Sequence, residues 1–334
     1  MTNSSLPLVA VGSLGGTVTM ERERGSPGLI PSLGAEDLVA AVPTATAVAD
    51  LRATTLGRSA GASLSFETVL NALTWARAEV ADGADGVVLL QGTDTIEEVA
   101  YLLDLLWDRS EPLVVTGAMR GPSHPGSDGP ANLLASIVVA ASPLVRDQGV
   151  TVVMNDEVHA ASRVRKVDSI AAHAFTSHPF GPLGRIAENH LVLAGRRSRT
   201  PPLQVPVVTS VQIELIEMTL GNSGRLISSA VSHGADGLVI AGFGAGHVPV
   251  DALDRISAAV DMVPVVLASR AGSGPVLRHT YAFAGSEVDL HRRGVISAGW
   301  LDPRKARVLL WAAIANSMAE AEIRSLFDQR SEVG

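Results

Sequence analysis

The 334 residues are too many for one ordinary compact core and suit two α/β domains or one large one. With 46% hydrophobic and 18% charged residues the chain falls among globular proteins and outside the disordered class. A net charge of −8 gives no global electrostatic case for nucleic acid or an anionic membrane, and zero cysteines exclude disulfides, thiolate metal sites and a cysteine nucleophile, so small-molecule chemistry is expected.

In chain order, the first apolar run, LPLVAV, follows an N-terminus without a basic segment and leads into a glycine turn. It reads as a strand rather than a signal peptide, and a cytoplasmic protein is expected. The turn, Ser13-Leu14-Gly15-Gly16-Thr17, offers backbone amides for close approach to a ligand and a hydroxyl on Thr17, although a plain tight turn has the same composition. Gly57-Arg58-Ser59-Ala60-Gly61 matches the G-x-S-x-G nucleophile elbow, but DLRATTL before it and ASLS after it do not supply the strong strand and immediate helix that the motif needs. A helix is predicted over 66–80.

The run GVVLL reads as a buried strand ending at Gln91-Gly92-Thr93-Asp94-Thr95. Ile96, Val99, Leu103, Leu106 and Trp107 then mark one face of a helix over 96–108, with Thr95 and Glu98 fitting a capping box. Asp94 at a helix N-terminus is favoured as an anion by roughly 0.3–1 kcal/mol and suits gripping an ammonium, while an Asp and a Thr in this place are also ordinary caps. PLVVTG ends in a long loop, Gly117-Ala118-Met119-Arg120 with Ser127-Asp128-Gly129-Pro130-Ala131-Asn132 after it, that opens a helix over 131–141 with Asp128 near its N-cap.

After the strand VTVVM, Lys166 sits in SRVRKVD just after two arginines, Arg163 and Arg165. Crowding by Arg163 and Arg165 would favour its neutral amine, a base toward a hydroxyl; without a partner the same run is a solvated basic face. Residues 195–206, GRRSRTPPLQVP, are basic, proline-rich and aperiodic, and read as a linker between domains at 1–194 and 207–334. Strands are expected at VPVVTSV, DGLVIAG and VPVVLAS, and helices over 251–260 and 303–327. The rhythm of strand and helix gives an α/β, doubly wound architecture.

Gly242-Phe243-Gly244-Ala245-Gly246 follows a strand but is not G-x-G-x-x-G, and the nine histidines form no H-E-x-x-H. No metal site is expected.

Taken together, LGGTV, GAEDLVAAVP, QGTDTIEEVAYLLDLL, GAMR with SDGPANLL, VVMNDEVHAASRVRK with AFTSHPFGPLG, GFGAGHVP and GWLDPRKARVLL resemble the bacterial-type L-asparaginase (asparaginase/glutaminase) family over nearly the whole chain. The resemblance implies a two-domain asparaginase-like fold, a larger N-terminal parallel α/β domain and a smaller C-terminal one. It also implies a homotetramer, a dimer of dimers, whose sites are completed by the partner subunit. The implied reaction is hydrolysis of the side-chain amide of asparagine, and to varying degrees glutamine, to the acid and ammonia through a threonine acyl-enzyme without metal or organic cofactor.

By the same resemblance Thr93, Asp94 and Lys166 match a hydroxyl, a carboxylate that also holds the substrate ammonium, and the lysine that activates the hydroxyl. Ala118 matches a backbone carbonyl facing the substrate amide, Gly16 belongs to the first substrate loop, and Glu287 and His247 match partner-subunit positions near the amino group, His247 replacing an asparagine. The chain departs from the pattern in three further places. Leu14 stands where the family has its first threonine nucleophile, leaving Ser13 and Thr17 as the nearest hydroxyls. No tyrosine occurs in the loop 21–31, where Gly28 takes its place. Gly61-Ala62 replaces a Ser-Gln substrate pair, with Ser63 the nearest hydroxyl. Three readings follow: an amidohydrolase using Thr93 with Lys166, or else Ser13 or Thr17; a hydrolase of a larger or derivatised amide; or a silent amino-acid binder.

Overall fold

The computed structural model describes residues 6–21, 28 and 30–330. The chain divides into two units, Met1–Pro202 and Leu203–Gly334. Of the loop 21–31, residues 22–27 and 29 lie outside the described residues.

Unit 1 is built on an eight-stranded sheet. Its first strand, β1 (Leu8–Gly15), leads through a short ribbon of β2 (Met20–Glu21) and β3 (Ile30–Pro31) and the helix α1 (Ala35–Ala40) to β4 (Asp50–Ser59). Then come α2 (Phe66–Ala81), β5 (Gly86–Leu90), α3 (Ile96–Leu106), β6 (Leu113–Thr116), α4 (Gly129–Ala140) and β7 (Val150–Met154). β4, β1, β5, β6 and β7 are neighbours and parallel. β8 (Glu157–Ala160), β11 (Gly184–Ala187) and β12 (His190–Leu193) extend the sheet antiparallel, while β9 (Arg165–Lys166) and β10 (Phe175–Thr176) form a separate ribbon.

The chain goes from β1 to β4 on one side and returns to β5 on the other. Strand order therefore reverses at β1, and the crevice at the carboxyl ends of β1 and β5 is where an α/β sheet of this kind binds ligands. Alternation along β1 sends Val9 and Val11 into one core cluster with Val88, Leu90, Val114, Leu133 and Ile137. On its other face a Cβ at Gly12 would lie 2.6 Å from the Trp75 ring of α2, so the indole sits where a side chain would otherwise project.

Unit 2 carries a parallel four-stranded sheet in the order β13 (Ile213–Glu217), β14 (Gly237–Gly242), β15 (Val265–Ser269), β16 (Ile296–Ser297). Its helices are α5 (Arg225–Ser232), α6 (Leu253–Val260), α7 (Glu287–Arg292), α8 (Pro303–Ala315) and α9 (Glu320–Arg330). Among the described residues no helix is long and apolar enough to cross a membrane.

Three sequence expectations are corrected. VPVVTSV is not a strand: the chain is irregular from 201 to 212, Val207 is 95% exposed, and pairing starts at Ile213, where Ile213 and Ile216 can be buried. β-branched content without a face to bury does not make a strand. The helix over 303–327 is two helices, because Ser317 adopts a left-handed φ of 55°. Its amide donates to Ile314 O (2.8 Å) and that of Met318 to Ala313 O (3.1 Å), a Schellman stop made without the usual glycine. Thr95 makes no cap: a 3₁₀ turn over Thr93–Thr95 precedes α3, and the Thr95 hydroxyl donates to Gly61 O at 2.9 Å.

His159 on β8 is fully buried, with Nδ1 2.9 Å from Ser177 Oγ. Burial, aided by the charge of Arg185, pushes its pKa down to about 4 from 6.5. The fold thus favours the neutral ring. The stability tied to that preference is whole above pH 6.5 and is lost as pH falls toward 4, a change of about 3 kcal/mol. Thermal melts of His159→Gln are expected to show a flatter acid limb than wild type across that window.

Candidate active site

The loops after β1, β4 and β5 meet through glycine. Gly16 has φ 88° and ψ −174°, a region essentially reserved for glycine, and an added Cβ would collide with the backbone of Gln91 and Gly92. A Cβ on Gly61 would lie 2.9 Å from the Gly92 carbonyl carbon. Three backbones thus touch where side chains would hold them apart, and the loop Gln91–Thr95 is wedged between the other two. Gly16→Ala is expected to destabilise the protein by upwards of ~2 kcal/mol and to abolish activity with it, read by thermal melting and turnover.

In that loop Thr93 is 5% exposed, while the Asp94 side chain is 62% exposed. Lys166 comes from β9, and its Nζ lies 3.0 Å from Thr93 Oγ1 and 2.8 Å from Asp94 Oδ1. The amine is mostly shielded, with 15% of the side chain accessible. The charged group within hydrogen-bond reach of the amine is therefore an anion. Arg163 lies over the Phe180 ring, 5.2 Å from its centroid.

The other hydroxyls sit differently. Ser13 has no accessible surface, and its Oγ accepts the Gly15 amide at 3.4 Å. Leu14 is buried at 2% exposure. Thr17 is half-buried at the start of a 3₁₀ turn, and its hydroxyl makes no hydrogen bond among the described residues. Ser63 is exposed in the turn Gly61–Ser63 that follows β4. That turn, with α2 starting only at Phe66, denies the G-x-S-x-G stretch its helix, although β4 does supply the strand.

Ala118 is buried just past β6. Its loop is fixed by Asp128, which accepts the amides of Met119 (2.9 Å) and Arg120 (2.8 Å). Asn132 links Asp128 (3.1 Å) to Gly117 O (3.0 Å). Asp128 is thus a loop clasp, and its side chain makes no cap bond to α4.

Glu97 was not anticipated. It is 2% exposed and accepts the Lys166 amide at 3.2 Å, fixing the strand that carries the lysine. A carboxylate beside the apolar face of an amphipathic helix was the available signal.

In unit 2 the glycine-rich run Gly242–Gly246 closes a tight turn, with Phe243 and His247 exchanging backbone hydrogen bonds of 2.8 and 2.9 Å. This turn presents His247, whose Nε2 is 3.4 Å from Glu287 Oε2. Glu287, at the start of α7, has no accessible surface. Burial pushes its carboxyl up, but the amides of Tyr281, Glu287 itself and Thr280, with the charge of His247, outweigh that and hold it below the usual carboxylate range. Among the described residues no group of three His, Asp or Glu could hold a metal ion.

A family model described as "Asparaginase, N-terminal" matches residues 8–199, and one described as "Glutaminase/Asparaginase C-terminal domain" matches residues 212–327. A probable L-asparaginase of Deinococcus radiodurans is 38% identical over 254 residues, 75% of this chain and 77% of that protein. L-asparaginase 2 of Escherichia coli is 31% identical over 97% of this chain and 94% of its own length. The crystal structure of a probable cytoplasmic L-asparaginase from Campylobacter jejuni superposes with a TM-score of 0.86 at 29% identity, covering 96% of this chain and 99% of that one.

Proposed function

The chain belongs to the bacterial-type asparaginase family and is an asparaginase-like amidohydrolase, and from that premise we propose that Thr93 is its nucleophile, Lys166 the proton carrier, and Asp94 the carboxylate that orients the lysine and holds the substrate ammonium. The observation that carries this reading is the contact of Lys166 Nζ with Thr93 Oγ1 at 3.0 Å. A hydroxyl needs an adjacent base to attack an amide, and of the hydroxyls considered this one has a lysine in hydrogen-bond reach.

In the first half-reaction the Lys166 amine takes the Thr93 proton as Oγ1 bonds to the amide carbon and the carbonyl electrons move onto oxygen. Collapse re-forms the carbonyl and breaks the C–N bond while Lys166 returns the proton to nitrogen, releasing ammonia and leaving an ester on Thr93. In the second half-reaction water gives its proton to Lys166 and attacks the ester. The proton then passes back to Thr93 as the acid leaves. For asparagine the products are aspartate and ammonia. The site is completed by Glu287 and His247 of a second copy in a homotetramer built as a dimer of dimers, and the named Campylobacter relative supports a cytoplasmic location.

A larger amide is favoured by two observations: Ala62 is exposed, and among the described residues a Cβ on Gly28 would meet nothing within 4 Å. Ammonia release from L-asparagine, L-glutamine and α-carboxyl-substituted asparagines tests both readings. Release from asparagine above the uncatalysed rate is the expected result. No release from any of them, with asparagine still bound in calorimetry, would leave a silent binder.

A further inference from the structure

The ribbon of β9 and β10 that carries Lys166 is fastened to two consecutive residues of β8. Its outgoing arm is held by Ala160 O, which accepts the amides of Arg163 and Val164, both at 3.0 Å. Its return arm is held by His159, whose Nδ1 lies 2.9 Å from the hydroxyl of Ser177, the first residue after β10. Strand pairing passes that second attachment on to the lysine. Thr176 pairs with Arg165 and Phe175 with Lys166, and Val167 N donates to Ala174 O at 2.8 Å.

On the far side of the ring, His159 Nε2 is 3.5 Å from Glu157 Oε2, and Glu157 is itself paired with Arg185 of β11. Burial keeps the imidazole neutral, and the facing carboxylate favours the tautomer with its proton on Nε2, which leaves Nδ1 to accept from the Ser177 hydroxyl. A hydroxyl, an imidazole and a carboxylate in a row are the parts of a hydrolytic triad. Here they serve no second reaction, because Ser177 is 1% exposed and His159 has no accessible surface. Their place in the fold gives them another use.

We propose that His159 is a positioning residue for the Lys166 amine: through Ser177 it pins the return arm of the ribbon and so holds Nζ in reach of Thr93 Oγ1. The inference rests on the reading of Lys166 as the proton carrier. Glu97 fixes the other arm by accepting the Lys166 amide at 3.2 Å, so the ribbon is gripped from α3 as well as from β8. A displacement of about 1 Å in a group that moves a proton costs on the order of 10²-fold in rate, which is why a buried contact at the far end of a short ribbon matters to turnover.

The test measures kcat and KM for ammonia release from L-asparagine, together with amide hydrogen exchange, in the full chain and in Ser177→Ala, His159→Leu and His159→Asn. Ser177→Ala is the gentlest change, since it deletes one hydroxyl and leaves the ring in place. It is expected to lower kcat by roughly ten- to hundredfold with KM moved by less than about threefold. Exchange of the Val167 amide is expected to quicken by about tenfold or more while the amides of β7 keep their protection. His159→Asn, whose side-chain amide can still meet the Ser177 hydroxyl, is expected to recover much of the kcat lost in His159→Leu. A kcat in Ser177→Ala equal to that of wild type, unchanged exchange at Val167, or an asparagine variant no faster than the leucine one overturns the proposal. If wild type releases no ammonia from asparagine or glutamine, it is the proton-carrier reading that fails, and the latch is then judged by Val167 exchange in Ser177→Ala alone.

Discussion

Thr93→Ala is expected to lower kcat/KM for ammonia release by at least about 10³-fold while leaving the fold intact, as loss of a nucleophile does when the rest of a site remains. The hydroxyl accepts from Lys166 Nζ, so its loss removes that contact, about 1 kcal/mol of stability. Thermal melting separates the two effects: a melt within a few degrees of wild type with turnover gone is the expected pattern. Thr93→Ser should keep measurable turnover. Combining Thr93→Ala with Lys166→Met should cost scarcely more than the first change alone, because the two residues act as a unit. Full activity in Thr93→Ala, with loss in Thr17→Ala instead, would sink the assignment. Ser13 is a weaker rival, since its hydroxyl has no accessible surface and is tied to Gly15.

The parts of this site that sequence made legible are those encoded locally. A five-residue apolar run ending in Gln-Gly-Thr-Asp-Thr and an amphipathic helix reads directly as strand, loop and helix, and β5 and α3 lie where that pattern puts them. What sequence alone could not supply is contact at long range. Lys166 and Thr93 are 73 positions apart, and their meeting depends on strand order reversing at β1 and on the ribbon that carries Lys166. The same holds for Thr95, which looks like a cap and instead ties the loop to Gly61, 34 residues away. The stop after α8 was hidden for a different reason: Ser317 takes a left-handed position that a reader expects only of Gly or Asn.

The stretch from 195 to 206 shows how a basic run can carry structure. Arg197 is only 8% exposed in its side chain. Its amide donates to Gln148 Oε1 (2.9 Å), its Nε to Gln148 O (2.7 Å), one terminal nitrogen to Ser162 Oγ (3.3 Å), and the other to the Asp104 carboxylate. Asp104, 7% exposed on α3, also accepts the Val150 amide at 2.8 Å, at the start of β7. Gly149, at φ 72°, is the residue that leaves room, because a Cβ there would collide with both partners. Arg197→Ala would therefore leave the buried Asp104 carboxylate with the Val150 amide and the more distant charge of Arg199 in place of its bonded partner.

Breaking a buried pair on one side costs about 3–5 kcal/mol, which in a unit of this size lowers the thermal midpoint by roughly 10 °C. Replacing both partners, as Arg197→Met with Asp104→Leu, should recover part of that loss, since neither member of the pair is then left behind although Arg199 loses the Asp104 charge near it. A midpoint unmoved in Arg197→Ala would mean that the arginine is a solvated surface charge after all. The same contact decides where unit 1 ends: a fragment stopped at residue 194 lacks Arg197 and should melt well below one stopped at 202, in proportion to the single substitution.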